Sequence, residues 1–167
     1  FYINKKKYNQ DLYINHQNQI FKKLKLDRNL GKEKLNQIKE NYKIAYNRSM
    51  SSEHEILFSS ISCNENIKIN NILEIGTFDG FNAFLLSLLF KSSNIETIDL
   101  DIKDDDFKNF YNREKRSEEE LTVRKSFLSK SDRINLKQMN SINLINCKKR
   151  YDLIWIDGAH GYPMVCM

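Results

Sequence analysis

One proline and five glycines in 167 residues leave the chain with almost no turn residues to mark its element boundaries. Boundaries must be read from hydrophobic periodicity instead. The three cysteines, Cys63, Cys147 and Cys166, are odd in number, far apart and without a CxxC pair. That spacing argues against a disulfide framework or a zinc site and for a reducing, cytoplasmic setting. No apolar run approaches the roughly 18–20 residues that a membrane-spanning helix needs, so no membrane segment is expected. The opening FYINKKKYNQ has no apolar signal core behind its basic residues. It also lacks a starting Met, which fits a piece of a longer protein.

What is present suits one ordinary globular core. The length allows a single core and is short for two comfortable domains, and 40% hydrophobic with 29% charged residues is a usual balance. A net charge of +5 permits a nucleic-acid partner. Lys, Asn and Ile are abundant along the whole chain, however, so the charge reads as compositional bias and argues against one.

Residues 11–48 read as helical, with Leu35, Ile38, Tyr42 and Ala45 on one apolar stripe of an otherwise charged surface. A further helix is expected at SEHE, where Ser52 and Glu55 have capping-box spacing ahead of Ile56, Leu57 and Phe58. Residues 1–49 are therefore expected as a helical lid or flank, and residues 50–167 as the main domain.

From residue 70 the pattern alternates. Asn71–Ile75 reads as a short apolar strand, Phe81–Phe90 as a buried helix, and Ile95–Leu100 as a second strand. Ile134–Met139 is a weaker third strand, and Tyr151–Ile156 a fourth that ends in Asp157-Gly158. The charged stretch Lys103–Lys130 reads as one or two helices, with Phe107, Phe110 and Tyr111 on one face and Glu120 spaced to pair with Arg124. Such alternation predicts an α/β fold, a parallel sheet with helices on both faces.

The stretch NILEIGTFDGFNAF then asks why a strand should end in an acid, pass two glycines four apart and turn straight into a buried helix. A helix starting there aims free N–H groups at the carboxyl edge of the sheet and suits an anionic group. Glycines allow positive φ and take away Cβ atoms that would block a ligand. GTFDG is accordingly expected to be a pocket floor, with Thr77 adding a hydroxyl donor. The dinucleotide fingerprint GxGxxG is not met, because Phe78 stands where its second glycine belongs. A Walker loop is absent too, since no Gly-Lys-Ser/Thr follows.

A ligand with a carboxylate, an amine and a ribose fits better. Asp99, 25 residues after Glu74 at the end of the second strand, is placed to accept both ribose hydroxyls. Asp101 competes for that role, but Asp99 directly follows the apolar run.

EIGTFDG, TIDLD, QMNS and YDLIWIDGAHGY, in that order, resemble the motif series of class I S-adenosylmethionine-dependent methyltransferases over roughly residues 50–167. The DGAH most resembles the methyltransferase-domain group found beside sugar- and polysaccharide-modifying enzymes. The resemblance implies a Rossmann-like sheet, incomplete at its C-terminus and preceded by the N-terminal helical segment, because the family has seven strands and Met167 follows the fourth. It implies S-adenosyl-L-methionine as cofactor. Glu74, Gly76, Thr77 and Gly80 would surround its methionyl part, Asp99 would hold the ribose, and Asn140 and Ser141 would meet the adenine. The family commonly has an acid near the last pair, where this chain has MNS.

Methyl transfer needs the acceptor aligned and its proton removed. Asp157 and His160 lie at the expected methyl-transfer edge, His160 as general base and Asp157 orienting it, contacting the amine or ligating a divalent cation. No metal ligand set is assigned. The acceptor is expected to be a small molecule or a sugar, methylated on oxygen. Two other classes stay open at this point: a non-catalytic nucleoside-binding or protein-interaction module, and a nicotinamide-dependent oxidoreductase. The open edge of apolar strands would also suit a homodimer.

Overall fold

The computed structural model describes residues 10–44, 53–101, 103–104 and 117–158. The chain divides into two compact units, residues 1–67 and 68–167.

In the first unit the described residues form α1 (Gln10–Lys23), α2 (Arg28–Asn41) and α3 (His54–Ser62). The stretch 11–48, expected to be helical, is divided into α1 and α2 at Leu24–Leu26, where Lys25 takes a positive φ of 56° without a glycine to announce it. Asp27 then caps α2, its side chain accepting from the Leu30 amide at 3.0 Å. Leu35 of the expected stripe is buried, Tyr42 is exposed, and Ala45 lies outside the described residues. Ser52 does too, and the cap of α3 is Glu53, with no side-chain capping bond. Glu53 and Glu55 turn to α2 instead, pairing with Arg28 at 2.7 Å and with Lys39 at 2.6 Å. These ion pairs, and the close approach of Gly31 to Ser60, bind α3 to α2. The division between the two compact units falls after residue 67, with α3 in the first.

The second unit is a four-stranded, wholly parallel sheet in the order β3-β2-β1-β4. Its strands are β1 (Asn71–Ile75), β2 (Asn94–Asp99), β3 (Ile134–Gln138) and β4 (Leu153–Ile156). Between them lie α4 (Phe81–Leu89), α5 (Ser117–Leu128) and a short 3-10 turn, Ser141–Asn146. Phe107, Phe110 and Tyr111 fall outside the described residues. With three N-terminal helices ahead of it, this is a Rossmann-like α/β fold. Among the described residues no helix is long and apolar enough to cross a membrane.

Alternation assigns the two faces. Ile72, Glu74, Ile95, Thr97 and Asp99 point one way, toward α4 and α5. The two helices share this face because β1-α4-β2 and β2-α5-β3 step in the same direction, and right-handed crossovers then use the same side. Phe127 of α5 packs against Phe81 and Phe84 of α4 with ring centroids 5.6 and 5.7 Å apart. Leu73, Glu96 and Ile98 point to the other face, which the β3–β4 connection crosses.

That connection is held by a buried acid. Glu96 accepts from the Tyr151 hydroxyl at 2.6 Å and pairs with Lys137 at 2.9 Å and Lys149 at 3.0 Å. Burial alone would raise its pKa, but the bonds from Tyr151, Lys137 and Lys149 together outweigh burial and hold it at about 2. The stability this supplies is full above the ordinary value of 4.5 and is lost as pH falls toward 2. Both lysines are 43% exposed, so water screens part of the attraction. Glu96→Gln should accordingly lower stability by about 2 kcal/mol at neutral pH, and by much less near about pH 3. Urea unfolding at the two pH values checks this, and an equal loss at both would show that charge plays no part.

Candidate functional site

The strand order reverses beside β1: β2 and β3 extend from one side of it and β4 pairs on the other. In open parallel sheets that reversal opens a crevice outside the carboxyl ends of the strands. Gly76, Thr77 and Gly80 follow β1 there, Asp99 ends β2, and Asp157 follows β4. The Met139 amide bonds to the Asp99 carbonyl at 2.8 Å, so Asn140 and Ser141 leave β3 at the same edge. The Asn140 side chain caps the 3-10 turn, accepting from the Ile142 amide at 3.0 Å. His160 lies outside the described residues, as does Cys166.

Glu74 is 1% exposed and sits between two donors. Asn82 Nδ2 reaches one carboxylate oxygen at 2.7 Å and Thr97 Oγ1 the other at 2.6 Å. Thr97 Oγ1 in turn lies 2.7 Å from Thr77 Oγ1. Burial pushes the Glu74 carboxyl up to about 7; the bonds from Thr97 and Asn82 oppose the rise, and the charges of Asp157 and Asp99 add to it.

The two glycines have the positive φ expected of them, and also a crowded surrounding that the sequence does not reveal. Gly76 has φ +100°, and a Cβ there would lie 2.2 Å from the Asp157 carbonyl oxygen. Gly80 has φ +77°, and its Cβ would come within 3.1 Å of Leu128 and 3.2 Å of the Arg124 carbonyl. Both bare faces press on protein, one on the β4 end and one on α5.

At the tip of α4, Asp79 accepts from the Phe81 amide at 3.1 Å, so one of the free N–H groups there is already held by a carboxylate of the chain. Glu74, Asp79, Asp99 and Asp157 thus make the edge rich in acid, with Arg124 as a counter-charge. Such a set attracts a cationic ligand group more than an anion.

Arg124, spaced for a surface pair with Glu120, turns inward from α5. Its Nε donates to the Phe78 carbonyl at 2.5 Å and its second nitrogen pairs with Asp99 Oδ2 at 2.7 Å. The Phe78 amide donates to the same carboxylate oxygen at 3.1 Å. Both ends of this residue's peptide groups are held, which is how a phenylalanine is kept at φ +47°. Arg124, Thr97 and Asn82 are the site residues the sequence reading misses. Asn82 and Ser87 are the polar interruptions of an apolar helix, and Asn82 could have been found on that ground. Arg124 has no local signal, because its partner is 25 residues away.

Among the described residues no group of three or more His, Cys, Asp or Glu side chains could hold a metal ion. The residues present therefore do not assign a cation to Asp157.

No family model and no curated protein sequence matches the chain. Solved structures do. An SAH-bound methyltransferase of Podospora anserina, PaMTH1, is 17% identical with a TM-score of 0.47, over 90% of this chain and 58% of that one. The O-methyltransferase from Bacillus cereus, in complex with SAH, is 16% identical with a TM-score of 0.41, over 75% and 53% of the two chains. These fold neighbours are methyltransferases. Likeness at that level carries nothing about activity, and the chain spans little more than half the length of either.

Proposed function

We propose that the chain is an S-adenosylmethionine-dependent methyltransferase acting on a hydroxyl of a small molecule or sugar. The observation that carries this reading is the bond from the Phe78 amide to Asp99, which draws the candidate ribose carboxylate against the glycine turn at the strand-order reversal. An acid-rich edge suits a ligand bearing a sulfonium and an ammonium. Phe78 in the turn disfavours the close approach of a pyrophosphate, which weighs against a nicotinamide dinucleotide.

In this reading Glu74, Gly76, Thr77 and Gly80 surround the methionyl part, Asp99 binds the ribose diol, and Asn140 and Ser141 meet the adenine. When bound, the cofactor supplies an already activated methyl group. Asp157 and His160 align the acceptor, and His160 takes its proton.

S-adenosylhomocysteine should raise the melting temperature while NAD leaves it unchanged, because a ligand of the native state stabilises by mass action. Asp99→Asn should weaken S-adenosylhomocysteine binding by about tenfold or more, as expected for loss of charge-assisted bonds to the diol. Calorimetric titration of the folded variant measures that. A shift with NAD alone would reject the methyltransferase reading. With labelled donor and a panel of sugar and phenol acceptors, Asp157→Ala and His160→Ala should lose turnover more than cofactor affinity.

A further inference from the structure

We infer that Glu74, Thr97 and Thr77 form a hydrogen-bond relay in which the protonation of Glu74 decides whether the Thr77 hydroxyl faces the glycine turn as acceptor or as donor, with Thr97 as the positioning residue between them. This goes deeper into the site proposed above and uses the cofactor reading only for its consequence.

The relay follows from counting hydrogens. Thr97 Oγ1 lies 2.6 Å from Glu74 Oε2 and 2.7 Å from Thr77 Oγ1, and all three residues are buried. Each hydroxyl carries one hydrogen. An ionised Glu74 can only accept, so Thr97 must spend its hydrogen on Glu74. The Thr77–Thr97 bond can then form only with Thr77 donating, and Thr77 has nothing but lone pairs left for anything else.

A proton on Glu74 reverses the chain. Asn82 Nδ2 donates to Oε1, which leaves Oε2 as the oxygen that takes the proton. Glu74 then donates to Thr97, Thr97 donates to Thr77, and the Thr77 hydrogen is released toward the turn. One proton enters from solvent, and no other covalent bond changes.

Both states are within reach at neutral pH, since burial lifts the Glu74 carboxyl to about 7. The charged groups that bear on it are Asp157 at the end of β4 and Asp99 of β2, the latter paired with Arg124 of α5. From α4 it meets the neutral Asn82, and its register partner on β4 is Trp155. The sequence expectation of Thr77 as a donor therefore holds only for protonated Glu74. The ionised state offers an acceptor, the partner an ammonium group wants.

Nuclear magnetic resonance of the ligand-free chain tests this without any ligand assumption. The Glu74 carboxyl carbon and the Thr77 methyl should titrate together with one midpoint near about pH 7. In Thr97→Val, Glu74 should still titrate while the Thr77 methyl stays still. Thr97→Ser, which keeps the hydroxyl, should restore the coupling and serves if the valine variant does not fold. Glu74→Gln should abolish both titrations. A Thr77 response that survives in Thr97→Val overturns the relay, as does a Thr77 signal that ignores the Glu74 titration in the parent chain. A second arm follows S-adenosylhomocysteine affinity against pH: it should rise through the same midpoint in the parent and rise less in Thr97→Val, where only the charge of Glu74 and not the Thr77 hydroxyl responds. Absence of S-adenosylhomocysteine binding at every pH would sink the cofactor reading and leave the relay to be judged by the resonances.

Discussion

Gly76→Ala is expected to lower folding stability by about 3–5 kcal/mol, among the largest effects available to a single methyl group in this chain. Two penalties combine. The backbone at φ +100° is one that an L side chain rarely adopts. The added carbon would also lie 2.2 Å from the Asp157 carbonyl oxygen and 2.6 Å from its carbon. Those atoms are backbone, held in place because the Asp157 amide donates to the Ile75 carbonyl at 2.8 Å. Relief therefore means parting β1 from β4. Gly80→Ala is the control: its Cβ meets mainly the flexible end of Leu128, so about 1–2 kcal/mol is expected. Urea unfolding of both variants decides it. A Gly76→Ala chain as stable as the parent would mean that the β1–β4 edge is not closed as described.

Arg124→Leu should cost a comparable amount, about 3–5 kcal/mol, because it strands Asp99 as a buried charge without its cation. The pair is 5% and 11% exposed, so water cannot replace the lost partner. The same change frees the Phe78 carbonyl, and the strained turn at 78 loses one of its two holds. Asp99→Asn in the leucine background should recover part of the loss, since a neutral amide has less to lose by burial. A double-mutant cycle should therefore show a coupling of about 1 kcal/mol or more. Additive losses would instead make the ion pair incidental to the fold.

The parts of this structure that were legible in the chain are those decided within a few residues. β1 is read with its observed ends because an apolar run stops at a glycine that a positive φ requires. β2, β3 and β4 differ by one or two residues at their ends, where element boundaries are least sharply defined. The break between α1 and α2 escapes notice because Lys25 takes the left-handed conformation that glycine usually signals. The helix expected from SEHE is present as α3, but its acids Glu53 and Glu55 answer to Arg28 and Lys39 on another helix, which no local spacing announces.

Long-range chemistry was the less legible part. The acids at 74, 99 and 157 stand out by position at strand ends, so the edge they share could be read from order alone. Their partners could not. Arg124 looks like a surface residue until the fold brings α5 over the glycine turn, and Thr97 looks like one more strand residue until register sets it beside Glu74. The positive φ expected of the two glycines is there, while the protein atoms that crowd their bare faces come from β4 and α5 and could not be read locally.

The reversal of strand order beside β1 has a practical corollary. The groups around the glycine turn come from the neighbourhoods of residues 74–82, 97–99, 124 and 157, and the last is delivered only after the chain has doubled back across the sheet. No short peptide cut from this sequence would carry them together, and no loop graft would transplant them. Any molecule that docks there reports, by docking, that the whole crossover has been assembled.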